Sequence, residues 1–317
     1  MNLSKIITAA KILISVSIII VLYNKIDFLS ILNTFKGFDP IYVFSFALNY
    51  LVQVAVITFR FVVALSMTNS QIPFLSSLRT TLISGFFAQA VFNVVAGDAA
   101  RVYLLRQDGV EYNRGTASVL LDRAVGLFSL LLLVAAGLPL VLSLEKIEDI
   151  VQGVFTVLSV GGLTFVATLL LGFWGKRIKL SGRLGEIVEG MTFARYLFHR
   201  PKLGIALLLL SIGLHLLNLF LFYLIAVSLG IAVEWSEILA LVPPALVLSM
   251  LPISVSGWGV REGAVVVALG TVGVATESAL AISVAFGLVL TVFNLPGGVV
   301  WLLSSGARVP SISPRKP

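Results

Sequence analysis

Long apolar runs, at residues 6–23, 41–67, 117–144, 151–174, 203–229 and 278–303, decide most of what this chain can become. At 1.5 Å of rise per residue, a helix over any of them reaches across about 30 Å of hydrocarbon. A hydrophobic fraction of 58%, a charged fraction of 12% and a mean hydropathy of +1.06 exceed what a soluble domain of 317 residues can hide in its core. The expected fold class is therefore all-α, a polytopic membrane protein with residues 1–317 forming a single transmembrane domain. The first run lies beside Lys5 and Lys11 and has no small-x-small cleavage site, so it reads as a retained helix.

The net charge of +7 is carried largely by the segment 175–202, where Lys176, Arg177, Lys179, Arg183, Arg195, Arg200 and Lys202 face only Glu186 and Glu189. The positive-inside bias makes this loop cytoplasmic, with an amphipathic interfacial helix expected over 178–196. It has few interleaved aromatics, so it reads as a topology signal and no nucleic-acid partner is expected. With no cysteine, disulfides, thiolate metal sites and cysteine nucleophiles are excluded. His199 and His215 form no ligand cluster, so neither a metal nor another cofactor is expected.

Two further apolar stretches, 77–96 and 237–256, end in the same pattern, Gly97-Asp98-Ala99-Ala100-Arg101 and Gly257-Trp258-Gly259-Val260-Arg261. After the second, residues 263–274 give about 18 Å of helix, enough to return from mid-membrane but not to cross. After the first, the chain turns polar through Arg106, Asp108, Glu111 and Arg114. Both stretches thus read as re-entrant helical hairpins beside about six crossing helices. That count puts both termini, the 175–202 loop and the basic tail 304–317 on the cytoplasmic side of the cell membrane. The acidic segment 145–149, Glu234, Glu237 and Glu277 then fall outside.

The spacing of 160 residues between the two motifs also superimposes the run at 41 on that at 203, and the run at 117 on that at 277. The chain reads as a duplication with halves at about 41–144 and 203–303, separated by three crossings and therefore inverted.

Broken helices at membrane depth persist only where protein or a polar cavity satisfies their backbone. The hairpin tips, with helix amino termini, Arg101 and Arg261, are expected to face one interior cavity and hold an anion, most naturally a phosphate. Asp98 reads either as the N-cap of its helix or as a ligand, and Gly97, Gly257 and Gly259 either as turn formers or as parts of the site. Arg60, Arg79 and Arg123 read as a cationic vestibule, or alternatively as snorkelling or paired arginines with Asp98 and Asp122 as partners. Asn49, Gln53, Gln89, Asn93, His215, Asn218 and Asn294 are expected to hydrogen-bond between helices. Pro243-Pro244, Pro252 and the run from Leu295 to Gly298 are expected kinks.

Three segments together resemble the lysylphosphatidylglycerol synthase transmembrane, or flippase-like, family. They are Val95 to Arg101, Ala117-Ser118-Val119 with Leu121-Asp122-Arg123, and Leu251-Pro252-Ile253-Ser254 leading through Gly257-Trp258-Gly259-Val260-Arg261-Glu262-Gly263. The resemblance implies a membrane module that moves aminoacylated phospholipids or handles other lipid-linked groups. It carries over to Gly97, Asp98, Arg101, Asp122, Arg123, Gly257, Gly259, Arg261 and Glu262, with Trp258 standing where the first motif has Asp98. Members that synthesise lysyl-phosphatidylglycerol add a soluble aminoacyl transferase domain after the membrane part, which the short stretch after Leu303 does not provide. The expected function is a lipid translocase for a phospholipid or lipid-linked anionic head group. The alternatives are a membrane-embedded transferase using Asp98, Asp122 or Glu262, and a subunit presenting a lipid to a partner enzyme.

Overall fold

A computed structural model describes residues 39–90, 94–143, 148–174, 194–250 and 259–304. The run 6–23, the segment 175–193 of the basic loop, Asn93, Pro252, Gly257, Trp258 and the tail from 305 onward lie outside the described residues.

Every main element described is a helix. In chain order they are α1 (Pro40–Met67), α2 (Phe74–Ala90), α3 (Val94–Gln107), α4 (Tyr112–Ser143), α5 (Glu148–Trp174), α6 (Ala194–His199), α7 (Pro201–Ser228), α8 (Trp235–Ser249), α9 (Val260–Gly270), α10 (Thr276–Asn294) and α11 (Pro296–Leu303). Among the described residues, four stretches are long and apolar enough to cross a membrane: α1, α4, α7, and α10 continued through α11. The run at 151–174 lies in α5, a helix of 27 residues.

Local chemistry sets the helix ends. Asp39 caps α1, its carboxylate accepting the N–H of Ile41 at 2.9 Å, and Pro40 occupies the first turn, where no intrahelical partner for its nitrogen is needed. Pro201 plays the same part in α7. At the other end of the chain, α10 stops at Asn294 and Pro296 starts α11, the expected break. Pro243 and Pro244 lie inside α8 without ending it.

The helix order repeats. A helix of 28 residues (α1, α7) leads to a pair of short helices (α2 with α3, α8 with α9) and then to a long helix (α4, or α10 with α11). The starts of α1 and α7, and those of α2 and α8, are each 161 positions apart. The two 28-residue helices pack antiparallel: Asn49 donates to the carbonyl of Leu217, and Arg200, preceding α7, donates to that of Ser66 near the end of α1.

The short helices have 17, 14, 15 and 11 residues, or roughly 26, 21, 22 and 16 Å, so none reaches the roughly 30 Å of a hydrocarbon core. The α2/α3 pair is an antiparallel hairpin, with Arg79 joined to Asp108 at its open end and Ser84 to Arg101 nearer its tip. Gly97 makes the close approach possible, since a Cβ there would stand 2.6 Å from the carbonyl oxygen of Ser84 and 2.9 Å from the Ala88 Cβ. This corrects the expectation for the first motif. The helix begins at Val94, so Gly97 and Asp98 lie within it, Gly97 is a packing position rather than a turn, and Asp98 is not an N-cap.

In lipid, where water supplies little drive between helices, shape fit and interhelical hydrogen bonds hold a bundle together. The largest buried cluster fits α4, α7, α8, α9 and α10 against one another, with the rings of Phe222 and Phe286 stacked 4.1 Å apart. Gly137 of α4 lies against Ala240 of α8: a Cβ at 137 would be 2.8 Å from the Ala240 Cα and 3.3 Å from its Cβ, so the two helices must part slightly to admit one. Cysteines at both positions come near the 3.5–4.5 Å that a disulfide spans. Gly137→Cys with Ala240→Cys is therefore expected to crosslink on oxidation in a chain without native cysteine, read as a reducible gel shift absent from either single variant.

Candidate functional site

The residues around Asp122 build the site. Asp122 sits in α4 at 1% exposure, and two arginines from different helices converge on it. Arg60 of α1 places Nη2 at 2.8 Å from Oδ2 and Nε at 2.7 Å from Oδ1, a side-on pair of charge-assisted length. Arg101 of α3 is held more loosely. Its Nη1 lies 3.4 Å from Oδ2 of Asp122, its Nη2 donates to Ser84 Oγ at 3.3 Å, and its Cζ lies over the ring of Phe61, 4.5 Å from the centroid. Its buried Nε has no hydrogen-bond partner among the described residues.

Next to the hub in sequence, Arg123 reaches from the α4 surface to Asp98 of α3 in a bidentate pair, Nη2 to Oδ1 at 2.7 Å and Nε to Oδ2 at 3.0 Å. Asp98 is thus an arginine partner across the helix contact. The ion pairs tie α1, α3 and α4 together.

A polar cavity of about 230 Å³ opens beside this cluster, lined by Arg60, Gly97, Arg101, Asp122 and Arg123 together with residues of α1, α2, α7 and α10. Its α1 wall is a stripe, Tyr50, Gln53, Ile57 and Arg60, spaced as one helical face. Three arginines and one carboxylate line it, and with Asp98 behind Arg123 the group carries one positive charge in excess. Asn49 and Asn294 do bridge helices as expected, Asn49 donating to the Leu217 carbonyl at 3.2 Å and Asn294 accepting the Tyr50 hydroxyl at 3.1 Å, whereas Gln53 donates to Asn49 at 2.6 Å within α1. Gln53, Gln89, Asn218 and Asn294 also line the cavity, as sequence reasoning did not foresee. The signal was present in the seven-residue interval from Gln53 to Arg60, which puts both on one face.

The second motif is built differently. Gly259 takes φ +87°, a left-handed backbone suited to glycine, and its N–H is accepted by the Glu262 carboxylate at the start of α9. Arg261 donates through Nε to Glu262 Oε1 at 3.1 Å and to Ser283 Oγ at 3.2 Å, and lies over the Phe286 ring at 5.4 Å. Both charges of this pair are buried and matched. Ser283 stands 161 positions after Asp122 and Phe222, stacked on Phe286, 161 after Phe61, the spacing between the starts of α1 and α7, whereas Arg261 follows Arg101 by 160. The expectation that Arg101 and Arg261 face one cavity is not met: Arg261, Glu262 and Gly259 do not line the polar cavity. Arg261 has a counter-charge of its own in the adjacent Glu262, whereas Arg101 shares Asp122 with Arg60.

The other candidates are also placed. Arg79, expected in the vestibule, pairs with Asp108 at 2.7 Å away from the cavity lining. His215 Nε2 is 2.9 Å from the carbonyl oxygen of Gly126, and among the described residues no acidic or histidine group is disposed to hold a metal. A larger cavity of about 650 Å³ between α5, α8 and α9, lined by such residues as Ala240, Pro244, Ala264 and Val267, presents no charged side chain.

Asp122→Ala leaves Arg60 and Arg101 without their shared counter-charge in a buried place. The expected cost is about 3–5 kcal/mol, read as a lowered unfolding midpoint of the detergent-solubilised protein, with Arg123→Ala costing less because its side chain is 42% exposed.

A family model described as the lysylphosphatidylglycerol synthase TM region matches residues 8–298. No curated protein matches the chain. The match spans most of the sequence, and the chain belongs to this family of multi-pass membrane domains associated with lipid modification or translocation.

Proposed function

We propose that this member of the lysylphosphatidylglycerol synthase transmembrane family is a lipid translocase, and that its polar cavity receives the phosphate of a phospholipid or lipid-linked head group. The observation that carries the reading is Arg101. It is buried, its two polar contacts are long at 3.3 and 3.4 Å, and its Nε donor is unpartnered. A phosphate oxygen satisfies that donor and matches the excess positive charge, as guanidinium forks do elsewhere. Arg60, held tightly by Asp122, fixes the hub, and the half-exposed Arg123 stands at the rim to meet an incoming anion.

Transport is favoured over group transfer because the carboxylates near the cavity are committed. Asp122 serves two arginines and Asp98 serves Arg123, which leaves neither as a ready general base. Inverted halves with short hairpins provide two arrangements of one bundle about a central site, the mechanical basis of alternating access. In this reading the hairpins re-enter, six helices cross the cytoplasmic membrane, and both termini are cytoplasmic. Arg261 with Glu262 secures the second hairpin, and the Arg101 site binds.

In proteoliposomes, Arg101→Gln is expected to slow translocation of a fluorescent anionic phospholipid by roughly tenfold or more, the size of a lost charged hydrogen bond. Arg79→Gln, remote from the cavity lining, leaves the rate near that of the wild type. An unchanged rate in Arg101→Gln would refute the site.

A further inference from the structure

Two chemically different sets of residues line the polar cavity, and on α1 they are set about two to three turns apart, at Arg60 and at Gln53 and Tyr50. One set comprises the arginines and Asp122. The other is formed by uncharged groups on four helices: Tyr50 and Gln53 of α1, Gln89 of α2, Asn218 of α7 and Asn294 of α10. The recorded hydrogen bonds of Gln53 and Asn218 use their amide nitrogens, Gln53 Nε2 to Asn49 at 2.6 Å and Asn218 Nδ2 to the Leu214 carbonyl at 3.0 Å. Their carbonyl oxygens remain as acceptors without a protein partner among the described residues. Asn294 Oδ1 already takes the Tyr50 hydroxyl at 3.1 Å, which fixes the geometry of this end.

We infer that the cavity selects an anionic phosphodiester whose head group ends in uncharged hydroxyls, and disfavours an aminoacylated, cationic one. The inference rests on the phosphate-site reading above and adds what lies beyond the phosphate. Hydroxyls donate to free amide carbonyls and accept from amide N–H groups, so an array of Gln and Asn side chains satisfies a polyol without any charge. An ammonium group could donate to the same carbonyls, but it would add a positive charge with no free carboxylate to match it. The lining supplies only Asp122, which two arginines already share, and the remaining lining charges are positive. At about 230 Å³ the space is below the 300–1,000 Å³ of pockets that enclose a drug-sized ligand, so it takes a head group and leaves the acyl chains outside.

The test compares short-chain lipids that differ only beyond the phosphate, with binding to the full chain in detergent followed by native mass spectrometry. Dihexanoyl phosphatidylmethanol carries the phosphodiester alone, phosphatidylglycerol and phosphatidylinositol add an open and a cyclic polyol, and lysyl-phosphatidylglycerol adds cationic amines. One or both polyol lipids are expected to bind roughly tenfold more tightly than phosphatidylmethanol, the sum of one or two net hydrogen bonds. Whichever gains identifies the polyol. Lysyl-phosphatidylglycerol is expected to bind more weakly than phosphatidylglycerol.

In Gln53→Leu, and separately in Asn218→Leu, the ratio between polyol lipid and phosphatidylmethanol should fall toward one. Equal binding of the polyol lipids and phosphatidylmethanol by the wild-type protein, or tighter binding of the lysyl ester, overturns the inference while leaving the phosphate site standing. If phosphatidylmethanol itself does not bind, or binds Arg101→Gln as well as wild type, the phosphate site fails and the polyol end falls with it.

Discussion

Asp122 is a carboxylate in the interior of a bundle whose surroundings are side chains and lipid, and it persists there because Arg60 and Arg101 arrive from two other helices. Burying one charge in such a place costs several kcal/mol, and only a partner with good geometry offsets that cost. The position of α1, α3 and α4 relative to one another therefore follows from the need to complete this cluster. Close packing does the rest: α3 approaches α2 at Gly97, and the Arg101 guanidinium carbon lies 4.5 Å from the centre of the Phe61 ring. Because one carboxylate is shared between two guanidinium groups, the tighter contact goes to Arg60 and Arg101 keeps bonding capacity in hand.

The two helix series, α1 to α4 and α7 to α11, differ at their arginines. Their helices keep the same order, and the starts of α1 and α7 hold a spacing of 161 residues, yet Asp122 of one half stands where Ser283 stands in the other. Arg261 compensates by taking its counter-charge from the adjacent Glu262, which also accepts the N–H of Gly259 and so finishes the helix end. One arginine site is thus closed on itself and the other open to a cavity.

Much of this was legible in the order of residues. Arg60, Asp98, Arg101, Asp122 and Arg123 were each identifiable because ionisable residues in apolar runs are rare and must be accounted for. The part that was not legible concerned which arginine meets which acid. Arg123 is next to Asp122 in sequence yet points to Asp98, because consecutive residues on a helix face directions about 100° apart. The role of Gly97 was also hidden, since a glycine that permits close packing and one that permits a turn are the same letter. The amides of α1, α2, α7 and α10 looked like interhelical glue, and only their convergence made them a cavity wall.

By itself, then, the sequence determined that the chain is a helical membrane protein with two short broken segments, since hydropathy and run length act locally and lipid tolerates little else. It also determined the family, through motifs spread along nearly all of the chain. The tertiary structure decided that Arg101 lines the polar cavity and Arg261 does not, and that uncharged amides complete that cavity. Those outcomes depend on which faces of distant helices meet. That is settled by side-chain volume and by the pairing of buried charges across the bundle, neither of which is a property of any one segment.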